Sequence, residues 1–192
     1  MNTWKTVCKY VLIILGLVLL DQVTKDFLLY LITGGVPAFG PAWTIVPMPY
    51  LMAHVTDFFN IVFTWNPGTS FSLFRALGES APIIIIVVTG FITGFVLYYL
   101  FSRARVWERV PLALIAGGAI GNLIDRVRFG AVIDFLDFQK NWLPGIDFNS
   151  ITDFHIIWRP WPVFNVADIF ICVGVGLYIL LWWIQYRRAK TK

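Results

Sequence analysis

Val11-Leu12-Ile13-Ile14-Leu15-Gly16-Leu17-Val18-Leu19-Leu20 runs straight into Asp21-Gln22-Val23-Thr24-Lys25-Asp26. Whether a helix stops at those charges or passes through them decides the fold. A membrane-crossing helix needs about 20 largely apolar residues, so the run ending at Leu20 is too short to span alone. Cleavage after it, as in a secretory leader, is one reading. The stretch past Leu20 lacks an Ala-x-Ala cleavage pattern and further apolar segments follow. The reading adopted is therefore an uncleaved helix over 9–32 that carries its charges into the membrane.

Three more spans are expected, over 81–101, 110–126 and 164–184. Composition agrees with four. Of the 192 residues, 58% are hydrophobic and 14% charged, and the mean hydropathy is +0.75. A soluble domain is nearer half apolar and about a quarter charged. A soluble globule, a disordered chain and a disulfide scaffold are excluded, leaving one integral-membrane domain over 1–192. The fold class is mainly α, with an extracytoplasmic cap holding short β-strands such as the one expected at 58–64.

The formal charge is +4. Basic residues gather at Lys5 and Lys9, at Arg103, Arg105 and Arg109, and at Arg187, Arg188, Lys190 and Lys192. With four spans all three clusters fall on one face, which the positive-inside rule makes cytoplasmic. Because they flank apolar runs, nucleic-acid binding is not called for. The outer face receives segments 33–80 and 127–163, rich in Pro, Gly and aromatics, including Trp142, Trp158 and Trp161. Cys8 and Cys172 stand far apart in apolar surroundings and read as buried thiols. His54 and His155 are the only histidines, so no zinc-like spacing exists and no metal is expected. Gly90-x-x-x-Gly94 and Gly117-x-x-x-Gly121 read as close-packing sites for helices.

Charges at the membrane need a reason, because each costs about 2.5–3.5 kcal/mol at a helix centre. Asp21 and Lys25 stand acid-first at i, i+4 and can pair. That pair has an equal structural reading, as an orienting ion pair. Asn66-Pro67-Gly68-Thr69-Ser70-Phe71-Ser72 is a turn. Ser70 or Ser72 with Lys25 as base is a minor nucleophilic alternative. Asn122, Asp125 and Arg126 end the third span, where Asp125 and Arg126 can pair with each other. Asn165 suits a helix N-cap, while Asp168 lies a turn inside the fourth span and suits a dipole-facing carboxylate. Asp134 follows the third span among apolar residues.

The third span runs outward and the fourth inward, so Asp134 and Asp168 share a depth at the outer boundary. Two carboxyls in one low-dielectric site do not both ionise cheaply, and such a pair offers an acid and a base for peptide hydrolysis. A proton-coupled transporter would instead want acids near mid-bilayer. A lipid-binding scaffold gives no reason for two matched aspartates.

Five blocks now carry a resemblance: Asp21-Gln22-Val23-Thr24-Lys25, Asn66-Pro67-Gly68-x-x-Phe71-Ser72, Gly117-Gly118-Ala119-Ile120-Gly121-Asn122-Leu123-Ile124-Asp125-Arg126, Val132-Ile133-Asp134-Phe135 and Phe164-Asn165-Val166-Ala167-Asp168. In this order the chain resembles the lipoprotein signal peptidase (signal peptidase II) family of bacterial membrane aspartic endopeptidases. The resemblance implies four helices, a periplasmic cradle and an amphipathic arm. It implies a catalytic dyad at Asp134 and Asp168, with polar support from Asn66, Asn122, Arg126 and Asn165. Asp21, Lys25, Gly68 and Asp125 match positions of a more structural kind. The implied substrate is a prolipoprotein whose lipobox cysteine carries diacylglycerol, cut just before that cysteine.

The resemblance also implies a monomer among membrane lipids, no cofactor, and inhibition by the cyclic peptide globomycin. The implied location is the bacterial inner membrane, with both termini cytoplasmic and the site at the outer face. Thr69-Ser70 departs from the family's Ala-Ala, and segments 33–57 and 139–163 are long for the family. One carboxylate would draw a proton from water while the other carboxyl protonates the oxyanion or leaving amine. Which does which is left open by the residues.

Overall fold

In the computed structural model the described residues are 3–35, 39–45, 50–68, 81–138 and 162–190. Thr69, Ser70, Ser72, His155, the three tryptophans named above and most of the long outer segments lie outside them.

The first helix does pass through its charges. α1 is Thr3–Thr33, unbroken across Asp21–Asp26. After the short helix α2, Ala42–Ile45, come strands β1, Tyr50–Thr56, and β2, Phe59–Asn66. α3 is Ala81–Ser102, and a single 3-10 turn, Val106–Glu108, leads into α4, Arg109–Phe129. Pro111 sits in α4's first turn, where a missing N–H breaks no helical bond. Gly130 closes α4 in the left-handed conformation, φ 76°, with its N–H on Arg126 O at 2.9 Å. Strand β3, Val132–Phe138, and α5, Val166–Lys190, complete the chain. α1, α3, α4 and α5 are long and apolar enough to cross a membrane. The end residues differ from the expected spans by a few positions, and the expected strand at 58–64 is β2.

α4 is the central span, packed against α1, α3 and α5. Half of its apolar window is buried, against 17%, 17% and 11% for the other three. Small residues permit this. A Cβ on Gly117 would lie 2.8 Å from Leu17, one on Gly118 would overlap the Ala167 carbonyl, and one on Gly121 would overlap the Asp21 carboxylate. The other pair does not behave alike: a Cβ on Gly94 would meet open space and one on Gly90 only Leu123 at 4.0 Å. The cysteine expectation is corrected too. Cys8 and Cys172 are exposed on the bundle's outside. With α4 taking the centre, α1 and α5 turn most of their apolar surface outward, and a small thiol is at home there.

β2 pairs antiparallel with both β1 and β3, in the order β1-β2-β3. Its register sets Asn66 opposite Val132, Trp65 opposite Ile133 and Thr64 opposite Asp134. The sheet is held to the bundle by a buried core of Leu29, Phe63, Phe129, Ile133 and Phe135. Trp65 joins it edge-on to Phe63, ring centroids 5.2 Å apart. On β3, Phe164 bridges to Leu136, with N–H to carbonyl bonds of 2.8 and 3.1 Å, so the residue before Asn165 is tied to the sheet.

Candidate active site

The site builds upward from α1. The Lys25 ammonium is fully buried and donates to Asp21 Oδ2 at 2.8 Å, Asp125 Oδ2 at 2.9 Å and Asn122 Oδ1 at 3.0 Å. A cation so far from water needs such a full set of acceptors. Each carboxylate in turn holds a different element. Asp21 Oδ1 accepts the Ala167 N–H at 3.0 Å, capping α5 from a neighbouring helix. Asp125 accepts the Ile133 N–H at 3.1 Å, fixing the start of β3. Gln22 Nε2 donates to Asp125 Oδ1 at 2.8 Å and to Gly121 O at 3.1 Å.

Asparagines form the next layer. Asn122 Nδ2 donates to Asp168 Oδ1 at 2.8 Å. Asn165 is the N-cap of α5: its Oδ1 accepts the Asp168 N–H at 3.0 Å, and Asp168 Oδ2 accepts the Asn165 N–H at 3.1 Å. That reciprocal pair is a capping box, so Asp168, expected as a dipole-facing carboxylate a turn inside the span, is part of the cap itself. Asn165 Nδ2 also donates to Asp134 Oδ1 at 2.7 Å. The sheet supplies the last partner, Asn66 Nδ2 to Asp134 Oδ2 at 2.9 Å. The same Asn66 accepts the Gly68 N–H at 2.9 Å, within a turn where Gly68 has φ 75°. A residue with Cβ is strained there.

Asp134 and Asp168 therefore share Asn165 as a common partner, and each carboxyl accepts two N–H donors. Burial pushes the Asp134 carboxyl up to about 7, and the Asp168 charge adds to the rise; the Asn66 and Asn165 amides and the Lys25 charge pull the other way. A carboxyl that exchanges its proton near neutrality, beside a second carboxylate, can serve as acid or base.

The expected Asp125–Arg126 pair does not form. Consecutive helix residues do not face each other. Asp125 turns to Lys25, while the charge of Arg126 lies toward Asp134 and Asp168. Its Nη1 donates to Asn122 O at 3.3 Å, and its buried Nε has no partner among the described residues. The structure thus gathers Asn66, Asn122, Arg126, Asp134, Asn165 and Asp168, with Asp21, Lys25 and Asp125 beneath them and Gly68 in the adjoining turn. Sequence reasoning missed Gln22 as a member of this network. Its signal was its place between Asp21 and Lys25, but a neutral amide gave no charge to explain. Arg128, which donates to Asp26 Oδ1 at 2.8 Å across α1 and α4, was also missed.

The fold is that of a helical membrane protein in which a buried Asp134 and a partly buried Asp168 are held through one asparagine. The chain matches the Signal peptidase (SPase) II family over residues 13–184, and it belongs to that family. A lipoprotein signal peptidase of Syntrophotalea carbinolica is 39% identical over 67% of this chain and 71% of its own length. One of Syntrophus aciditrophicus is 35% identical over 87% of this chain and 99% of its own. A solved structure described as a bacterial membrane enzyme shares the fold with a TM-score of 0.64, at 24% identity, covering 96% of this chain and 93% of that one.

Proposed function

We propose that this peptidase, which removes signal peptides from lipoprotein precursors, is of the aspartic type and that Asp134 and Asp168 are its catalytic pair. The observation that carries this reading is the shared Asn165, whose amide and backbone N–H groups reach one carboxyl each at 2.7 and 3.1 Å. Burial and the Asp168 charge let the Asp134 carboxyl hold a proton near neutrality. The ionised carboxylate takes a proton from water as that water attacks the scissile carbonyl. The protonated carboxyl then donates to the developing oxyanion or the departing amine. Asn66, Asn122 and Asn165 hold the carboxyls in place, so little reorganisation accompanies the step. Arg126, beside both acids, orients the peptide.

The substrate of this reading is a precursor whose cysteine carries diacylglycerol, cut just before that cysteine by a monomeric enzyme that globomycin inhibits. The site lies at the outer boundary of the inner membrane. There the acyl chains stay in lipid while the peptide reaches the carboxyls.

The test is cleavage of a diacylglyceryl-modified prolipoprotein peptide by purified protein in detergent. Asp134→Asn and Asp168→Asn should each lose at least about 100-fold in kcat, the contribution expected of a positioned acid or base, while remaining folded. Wild-type turnover in either folded variant removes the dyad and reopens Ser70, Ser72 and Lys25.

A further inference from the structure

Lys25 takes part in no step of the reaction above, yet its three hydrogen bonds are not alike. The contacts with Asp21 and Asp125 pair charges, and they account for keeping a cation inside the bundle. The third partner, Asn122 Oδ1 at 3.0 Å, is a neutral amide. An asparagine amide can be reversed with almost no change of shape, exchanging an acceptor for a donor. An ammonium has donors only, so facing Lys25 the amide must present its oxygen. Nδ2 is thereby aimed at Asp168 Oδ1, 2.8 Å away.

The constraint passes on. Asn122 Oδ1 also accepts from Asn165 Nδ2 at 3.1 Å. That nitrogen reaches Asp134 Oδ1 at 2.7 Å, and the oxygen of the same amide accepts the Asp168 N–H at 3.0 Å. With Asn122 reversed, donors would face donors at Lys25 and Asn165, and an oxygen would face the Asp168 carboxylate.

We propose that Lys25 is a positioning residue of the peptidase: its ammonium locks the amide of Asn122, and through it that of Asn165, so that both turn N–H toward the carboxyl pair. This rests on the dyad reading above. The charged groups facing Asp134 are Asp168 from α5, Arg126 from α4 and Lys25 from α1.

The experiment is a cycle measured on the lipopeptide in detergent, built in an Asp125→Asn background. Adding Lys25→Met there restores the wild-type net charge of the cluster and leaves Asp21 bonded to Ala167. Relative to the background, Lys25→Met should lower kcat by about 10- to 100-fold with KM little changed. The alkaline limb of kcat/KM should move to higher pH, because a donor and a positive charge are lost from the carboxyl pair. Combined with Asn122→Ala, it should cost no more than Asn122→Ala alone, since both remove the same aimed N–H.

A lysine that only stabilises the bundle would lower the folded fraction and leave the kcat of folded protein unmoved. That result, or losses that multiply, overturns the proposal. If the Lys25→Met protein does not fold, Asn122→Asp decides. It keeps an oxygen for Lys25 but faces Asp168 with another, so kcat should fall by about 100-fold; unchanged kcat overturns the proposal. Asp134→Asn and Asp168→Asn run beside these variants. Turnover surviving in either one would fault the dyad itself, a result separable from any at Lys25.

Discussion

At Asp134 two influences oppose each other. Burial and the Asp168 charge favour the neutral carboxyl; the Asn66 and Asn165 amides and the Lys25 charge favour the ion. The first pair wins, and the proton is held up to about pH 7. An unfolded aspartate releases it near pH 4. The folded protein therefore binds more protons between those values, and its stability falls as pH rises through that window. The thermal midpoint in detergent should decline from about pH 4 to about pH 7, and Asp134→Asn should flatten that decline. Turnover should fall on the alkaline side of about pH 7, as the Asp134 carboxyl loses its proton. A midpoint that rises across the window would contradict this account of Asp134. Lys25 teaches a related lesson at the same scale. From the chain alone it is one half of an i, i+4 pair, whereas in the fold it has a second carboxylate and an amide.

Among the elements, the small sheet gives the site its accuracy. β3 carries Asp134 and β2 ends at Asn66, and their pairing sets the reach of the 2.9 Å bond between them. The sheet is joined to the bundle through Phe63, fully buried against Phe129 and Ile133 among others. Removing a buried phenylalanine side chain costs about 3–5 kcal/mol. Phe63→Ala should lower the thermal midpoint and should reduce kcat in the protein that still folds, because Asn66 and Asp134 lose their common support. Kinetics beside a melting curve would check both, and unchanged kcat in folded protein would show that the sheet does not set the site. On the helical side, Asp21 caps α5 at Ala167 while pairing with Lys25, so one carboxylate fixes α5 next to the lysine that faces Asn122.

For the molecule as a whole, the charge distribution predicts an orientation. Lys5 and Lys9, the Arg103–Arg109 region and Arg187, Arg188 and Lys190 lie at the same end of the four-span bundle, opposite the sheet. The positive-inside rule predicts a cytoplasmic location for that end. Cysteines introduced as Lys5→Cys and Lys190→Cys, in a chain lacking Cys8 and Cys172, should react with an impermeant maleimide only in inverted vesicles. Labelling in right-side-out vesicles would reverse the topology and move the carboxyl pair to the other face.

Apolar length and the placement of Lys and Arg were enough, without coordinates, to read four spans and the passage of α1 through Asp21–Asp26. These properties are local or additive along the chain, so periodicity and charge express them. Partner choice is not local. That Asp125 turns to Lys25 and not to Arg126, that Gly121 yields room for the Asp21 carboxylate while Gly94 faces nothing, and that both cysteines face outward depend on which faces of four helices meet. Nor does a lone asparagine state which way its amide points. Only the tertiary structure decides that, because it brings an ammonium from α1 and a carboxylate from α5 to opposite ends of the same side chain.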